Sequence, residues 1–182
     1  LGEVMEMDEH VWTSPRNASS ITMAISDVLV ELDAANAETY QENAGSYAGE
    51  LEALDLEFQE LFASIDQPVL VFGDRFPLRY FVERYGVEYY AAFPGCSTQT
   101  EPSAATIAFL TEKVESEQIG TVWYIEFSNH LVADSIAEAT GAGTSLFHTC
   151  HNVTQAEMDG GATYLTLMEC NLERLRTAFT ER

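Results

Sequence analysis

The segment Asp8-Glu9-His10-Val11-Trp12-Thr13-Ser14-Pro15 sets an imidazole and two carboxylates beside an indole, then closes on three residues that favour helix starts. A neutral imidazole is the commonest side-chain ligand for a transition metal. The pattern predicts a strand ending at Thr13-Ser14-Pro15 in front of a helix, with His10 held rigidly enough to ligate. Similar residue types recur later: Asp74, Cys96, Glu126, His148, Cys150 and His151 each follow a short apolar run. Singly, each has a plainer role. Asp74 and Glu126 can cap the helices that follow, His151 can bond its own loop, and Cys150 can be buried or oxidised.

The elements that would carry these residues follow from periodicity. After Pro15, apolar residues at 21, 25, 28, 29 and 32 predict an amphipathic helix from about Asn17 to Asp33. Asn36 can cap a second, longer helix. In it Tyr40, Ala44, Tyr47, Leu51, Leu54, Phe58, Leu61 and Ile65 keep helical spacing over about 39 Å of axis. From Gln67 the texture alternates. Strands are expected at 68–72, 87–93, 121–125 and 144–147, the first followed by a turn at Gly73-Asp74-Arg75-Phe76-Pro77. Helices fill the gaps, and a last helix from about Gly160 carries Tyr164, Met168, Leu172, Leu175 and Phe179 on one face. Four strands separated by helices predict an α/β fold with a four-stranded parallel sheet. Ligands of such sheets collect at the carboxyl ends of the strands, and there the topology gathers Asp74, Cys96, Glu126, His148, Cys150 and His151.

Composition narrows the function. The 182 residues are 46% hydrophobic and 11% aromatic, enough for a full core. Thirty acids against eight Lys and Arg give a net charge of -22, which repels nucleic acid and anionic lipid and favours cations. Within these residues no apolar run approaches a membrane span and none has the pattern of a signal peptide, which leaves export open. The chain opens on Leu1-Gly2-Glu3, which predicts a fragment of a longer protein. Three cysteines are too few for a disulfide framework: Cys96 bridged to Cys150 with Cys170 in the core, or three reduced thiols, both fit. There is no Gly-x-Gly-x-x-Gly after a strand, no Walker lysine and no Gly-x-Ser-x-Gly elbow.

Residues 8–18, from Asp8-Glu9-His10-Val11-Trp12 to Pro15-Arg16-Asn17-Ala18, resemble the Asp-Pro-His-x-Trp-x-x-Pro-x-Asn-Ala signature of the zinc and manganese substrate-binding proteins of bacterial ABC importers. The resemblance continues in order through Tyr40-x-x-Asn43-Ala44, Tyr80-Phe81-x-x-x-Tyr85-Gly86, Glu101-Pro102-Ser103 and Tyr164-x-x-x-Met168-x-x-Asn171-Leu172. It implies half of a two-lobed fold, with metal held between α/β lobes that a long rigid helix bridges. Residues 1–66 would be the end of the first lobe and a helical lead-in with the bridge, and residues 67–182 the carboxyl-terminal lobe.

The resemblance also implies ligands. The family's second histidine ligand maps onto His10. Its third falls in the Gly73–Phe76 turn, where Arg75 is a cation and Asp74 is the natural substitute. The fourth aligns with His148, with Cys150 and His151 at hand. A set of His10, Asp74, His148 and His151 suits zinc in tetrahedral N/O coordination and leaves manganese open. The implied function is extracytoplasmic capture of a divalent metal for an ABC permease, without catalysis. Alternatives are a surface adhesion or structural module that has lost the metal, and a metal-assisted hydrolase using Glu126 or Glu101 as base. The bridging helix, parted from its other lobe, is expected to self-associate through Leu51, Leu54 and Phe58 or their neighbours.

Overall fold

The structure is a computed structural model that describes residues 8–94 and 101–180. A single 3-10 turn, Val11–Thr13, leads into α1 (Pro15–Leu32). Among the described residues, 8–14 form no strand before Pro15: Thr13 N and Oγ1 both donate to His10 O, at 3.2 and 2.8 Å, and close a turn instead. Ser14 caps α1 by accepting from Asn17 N, with Pro15 at the first helical position, where its missing N–H costs nothing.

α1 packs along α2 (Ala37–Ala63), but with the face opposite to the one its apolar stripe suggests. Ser19 and Ser26 are buried, whereas Ile25 is 55%, Val28 53% and Leu32 78% exposed. On α2 the periodic residues do face inward: Leu51, Leu54 and Phe58 are buried in this chain's own core, which leaves only neighbours such as Leu56, 53% exposed, for the expected self-association.

β1 (Val69–Phe76), β2 (Glu88–Pro94), β3 (Thr121–Ile125) and β4 (Gly143–Phe147) form one parallel sheet in the order β2-β1-β3-β4. Between β1 and β2 run α3 (Arg79–Tyr85) and Gly86, whose φ of 67° supplies the left-handed stop. α4 (Ala104–Ser116) and α5 (Leu131–Thr140) flank β3. The expected last helix is α7 (Tyr164–Thr180), and a short helix that was not anticipated, α6 (Gln155–Asp159), precedes it.

β1 runs through the predicted Gly73–Phe76 turn. Its register slips between Phe72 and Arg75, so that Gly73 and Asp74 together oppose Ala92, a bulge that lets the strand continue past residues typical of turns. Alternation along β1 divides the core. Leu70, Phe72 and Phe76 join Phe58 and Phe62 of α2, Phe81 of α3, and Met168, Leu172 and Leu175 of α7. Val69 and Val71 face Leu110 and Val114 of α4 and Ala133 and Ile136 of α5. Each such side chain contributes about 1.5–3 kcal/mol when fully buried, so α2 is built into the sheet's core rather than laid beside it. No helix of the described residues is long and apolar enough to cross a membrane. Cys96 and its proposed bridge to Cys150 lie outside the described residues. Cys170, expected in the core, is exposed on α7.

Candidate metal centre

His10 is 2% exposed. Its segment is fastened at three points: Tyr80 OH donates to Asp8 O at 2.9 Å, Tyr164 OH to Trp12 O at 2.7 Å, and Trp12 Nε1 to Thr149 O at 3.1 Å. These bonds come from α3, from α7 and toward the β4–α6 loop, so the segment's position is fixed by the whole lobe. The Asp8 carboxylate then orients the ring. Asp8 Oδ1 accepts from His10 N at 2.9 Å and from His10 Nδ1 at 2.7 Å. A carboxylate only accepts, so the proton sits on Nδ1 and the ligating lone pair on Nε2.

The ring of His151 lies edge-on to that of His10, centroids 5.6 Å apart, and both rings lie against Trp12 at 5.5 and 5.7 Å. Two imidazoles sharing a tetrahedral zinc, each bound at about 2.0 Å, have centroids about 5 Å apart. His10 and His151, some 140 residues apart in sequence, thus have a spacing that fits one ion.

His148, at the start of the same loop as His151, is buried. Its backbone is clamped by Asn171, whose Oδ1 accepts from His148 N at 2.8 Å and whose Nδ2 donates to His148 O at 2.7 Å. Nδ1 accepts from Cys150 N at 3.0 Å, which assigns the ring proton to Nε2. That buried atom makes no hydrogen bond among the described residues; Glu157 Oε1 lies 3.6 Å away. Ligation through Nε2 requires the proton to leave it and the bond from Cys150 N to break. Glu157 itself is set by a capping box with Thr154, and the Thr154 N–H and hydroxyl hold its carboxyl below the usual range. Thr154-x-x-Glu157 is the signal by which this residue was legible, and sequence reasoning passed over it. The Cys150 thiol is pushed up to about 12 by burial, with the Glu126 and Glu157 charges adding, so it stays protonated rather than a thiolate ligand.

Asp74 stands apart. Its oxygens accept from Arg75 N at 2.8 Å and Ile125 N at 3.2 Å, stitching β1 to β3 where the strands part. It lines a cleft of about 630 Å³ with Arg75, Phe93, Glu101 and Phe127; none of the three histidines lines that cleft. The four residues anticipated as ligands do not form one group with ligand atoms within 4.8 Å of one another: His10 meets His151, His148 shares the loop of His151, and Asp74 lines the cleft. Among the described residues, Asp8, Glu9 and His10 alone form a group of three or more with ligand atoms within 4.8 Å of one another. Glu126, anticipated as a possible base, accepts from Thr149 N, Thr149 Oγ1 and His151 N, the surroundings of a structural carboxylate.

A four-stranded parallel sheet flanked by helices, with His10 against His151, is the architecture of one lobe of a binding protein. Residues 2–178 match the family described as "ZnuA: Zinc-uptake complex component A periplasmic", and the chain belongs to that family. It is 30% identical over 175 residues to the zinc-binding lipoprotein AdcA of Streptococcus pneumoniae serotype 4 (strain ATCC BAA-334 / TIGR4), covering 96% of this chain and 34% of that protein. To the high-affinity zinc uptake system protein ZnuA of Bacillus subtilis (strain 168) it is 28% identical, covering 93% of this chain and 53% of that one. The chain thus spans between a third and about half of these relatives. Among solved structures, the Zn(II)-bound ZnuA-like domain of Streptococcus pneumoniae AdcA superposes with TM-score 0.79 at 29% identity, covering 98% of this chain and 66% of that one. The laminin-binding protein Lmb of Streptococcus agalactiae, described as having adhesin and metal transporting activity, gives 0.84 at 25%, covering 98% and 67%.

Proposed function

We propose that this chain is the part of an extracytoplasmic solute-binding protein that captures zinc and hands it to an ABC permease. The observation that carries the reading is His10 facing His151 at 5.6 Å with Asp8 on His10 Nδ1. A carboxylate behind a histidine fixes the tautomer and raises the basicity of the ligating nitrogen, the usual device of a zinc site. Two imidazoles favour zinc over manganese, which prefers oxygen donors. His148 supplies a third nitrogen once its loop gives up the Cys150 bond, and Asp74 the carboxylate if the lobe closes on the ion. The 1–66 and 67–182 division serves the same role, the first part presenting His10 and the second His148 and His151. The relatives' names, zinc-binding lipoprotein and zinc uptake system protein, support an exported or lipid-anchored location and a transport role rather than catalysis.

Zinc titration by calorimetry of the full-length protein tests this. A Kd below about 1 µM that weakens at least 100-fold in His10→Ala is expected. Wild-type binding no tighter than about 10 µM, or affinity that survives the substitution, overturns it.

A further inference from the structure

We infer that Glu126 is a positioning residue for the metal site: its carboxylate holds the 148–151 loop in the shape that sets His151 opposite His10. This rests on the proposed metal capture. Glu126 directly follows β3, half-buried, and three donors from the neighbouring loop converge on it. Thr149 N donates to Oε2 at 2.8 Å; Thr149 Oγ1 and His151 N donate to Oε1 at 2.5 and 3.2 Å. These bonds grip the loop on both sides of Cys150, whose φ of 59° lies in the left-handed region. A non-glycine residue persists there only where its surroundings hold it. Glu126 holds it from both sides, together with the bond from Cys150 N to His148 Nδ1.

The grip reaches the first histidine as well. Thr149, 2% exposed, accepts from Trp12 Nε1 through its carbonyl, so carboxylate, threonine and indole link β3 to the segment bearing His10. Only an acceptor with two oxygens matches three converging donors. A glutamine keeps the shape but offers one oxygen and brings two N–H donors of its own. The carboxylate makes none of these bonds through a histidine ring, so it acts on the metal through the backbone of its ligand.

The test uses the full-length protein and zinc competition against a chromophoric chelator, for wild type, Glu126→Gln, His151→Ala and the double variant. Amide hydrogen exchange at Thr149 and His151 is measured alongside in the metal-free proteins. Glu126→Gln is expected to weaken zinc binding about 10- to 100-fold, the usual effect of losing a group that orients a ligand. It should speed exchange at both amides, and in the His151→Ala background its further cost should be clearly smaller than in the wild type, because only the link through Thr149 and Trp12 to His10 is left for it to act on. A uniform loss of stability would not show that dependence on His151. Wild-type-like zinc binding in Glu126→Gln, unchanged exchange at both amides, or losses that multiply in the double variant would overturn this role while leaving zinc capture intact. A wild-type protein that takes up no zinc would overturn both.

Discussion

Asp8 Oδ1 sits 2.7 Å from His10 Nδ1 and 2.9 Å from His10 N, so one carboxylate oxygen fixes both the backbone and the ring of the same residue. Asp8→Asn keeps an acceptor in place but removes the charge that polarises the imidazole. Zinc affinity is expected to fall about tenfold, against at least 100-fold for His10→Ala. Calorimetry on both variants checks the order. Equal losses would mean that Asp8 ligates the ion itself.

Much of this arrangement was legible in the residues, and the rest was hidden for physical reasons. The alternation from Val69 onward identified four strands because each is a short apolar run bounded by turn formers. β1 was cut short because Gly73 and Asp74 carry turn propensity, and a bulge, which depends on the neighbouring strand, overrides it. α1 was recognised as a helix, yet not which side it buries: Ser19 and Ser26 face inward although Ile25 and Val28 are the apolar residues. His10 and His151 were each singled out, but their meeting depends on Trp12 reaching Thr149, a contact across 137 positions. Asp74 was expected just beyond β1, yet it lies within the strand, and its carboxylate accepts from backbone N–H groups that no local pattern reveals.

Asp55 joins α2 to α3. It is buried, and it accepts from Arg84 Nε at 2.9 Å, Arg84 Nη2 at 2.5 Å and Tyr85 OH at 2.9 Å. Asp55→Ala strands a partly buried guanidinium and a phenol together. A loss of roughly 2–4 kcal/mol is expected in urea unfolding, below the full value for a wholly buried pair because Arg84 keeps some solvent. Asp55→Asn, which retains one acceptor, should lose about half as much. If the two variants unfold alike, the charge is not what matters there.

Gly73 lets α5 press against β1. A Cβ built on it would lie 2.4 Å from Ala133 Cα and 2.5 Å from Ala133 N, both backbone atoms that cannot rotate away. Gly73→Ala must therefore push the helix off the sheet, at a cost of about 3 kcal/mol or more. Its midpoint in urea should drop accordingly, and an unchanged midpoint would mean that α5 is not held against β1 at this point. Pairing Gly73→Ala with Ala133→Gly relieves only the Cβ contact and should recover little stability.

Cys150 and Cys170 make opposite predictions. Cys170 is exposed and open to reagent, whereas the Cys150 thiol is sheltered and its pKa is raised from 9.0 to about 12, mainly by burial. The thiolate is the reactive form, so at pH 8 iodoacetamide should label Cys170 in the native protein and Cys150 only after unfolding. The same shift makes stability depend on pH. Below about pH 8 the thiol is protonated in both states and contributes nothing. Between pH 9 and 12 the unfolded chain gives up a proton that the folded chain retains, so this group lowers stability as pH rises, by at most about 1.4 kcal/mol per unit. Unfolding midpoints of wild type and Cys150→Ala at pH 8 and pH 10 isolate the effect: the wild type should lose more between the two than the variant. Parallel losses, or native labelling of Cys150 at pH 8, would mean that the loop holding it opens readily, and the orientation of His151 would then have to be imposed by the metal rather than by the lobe.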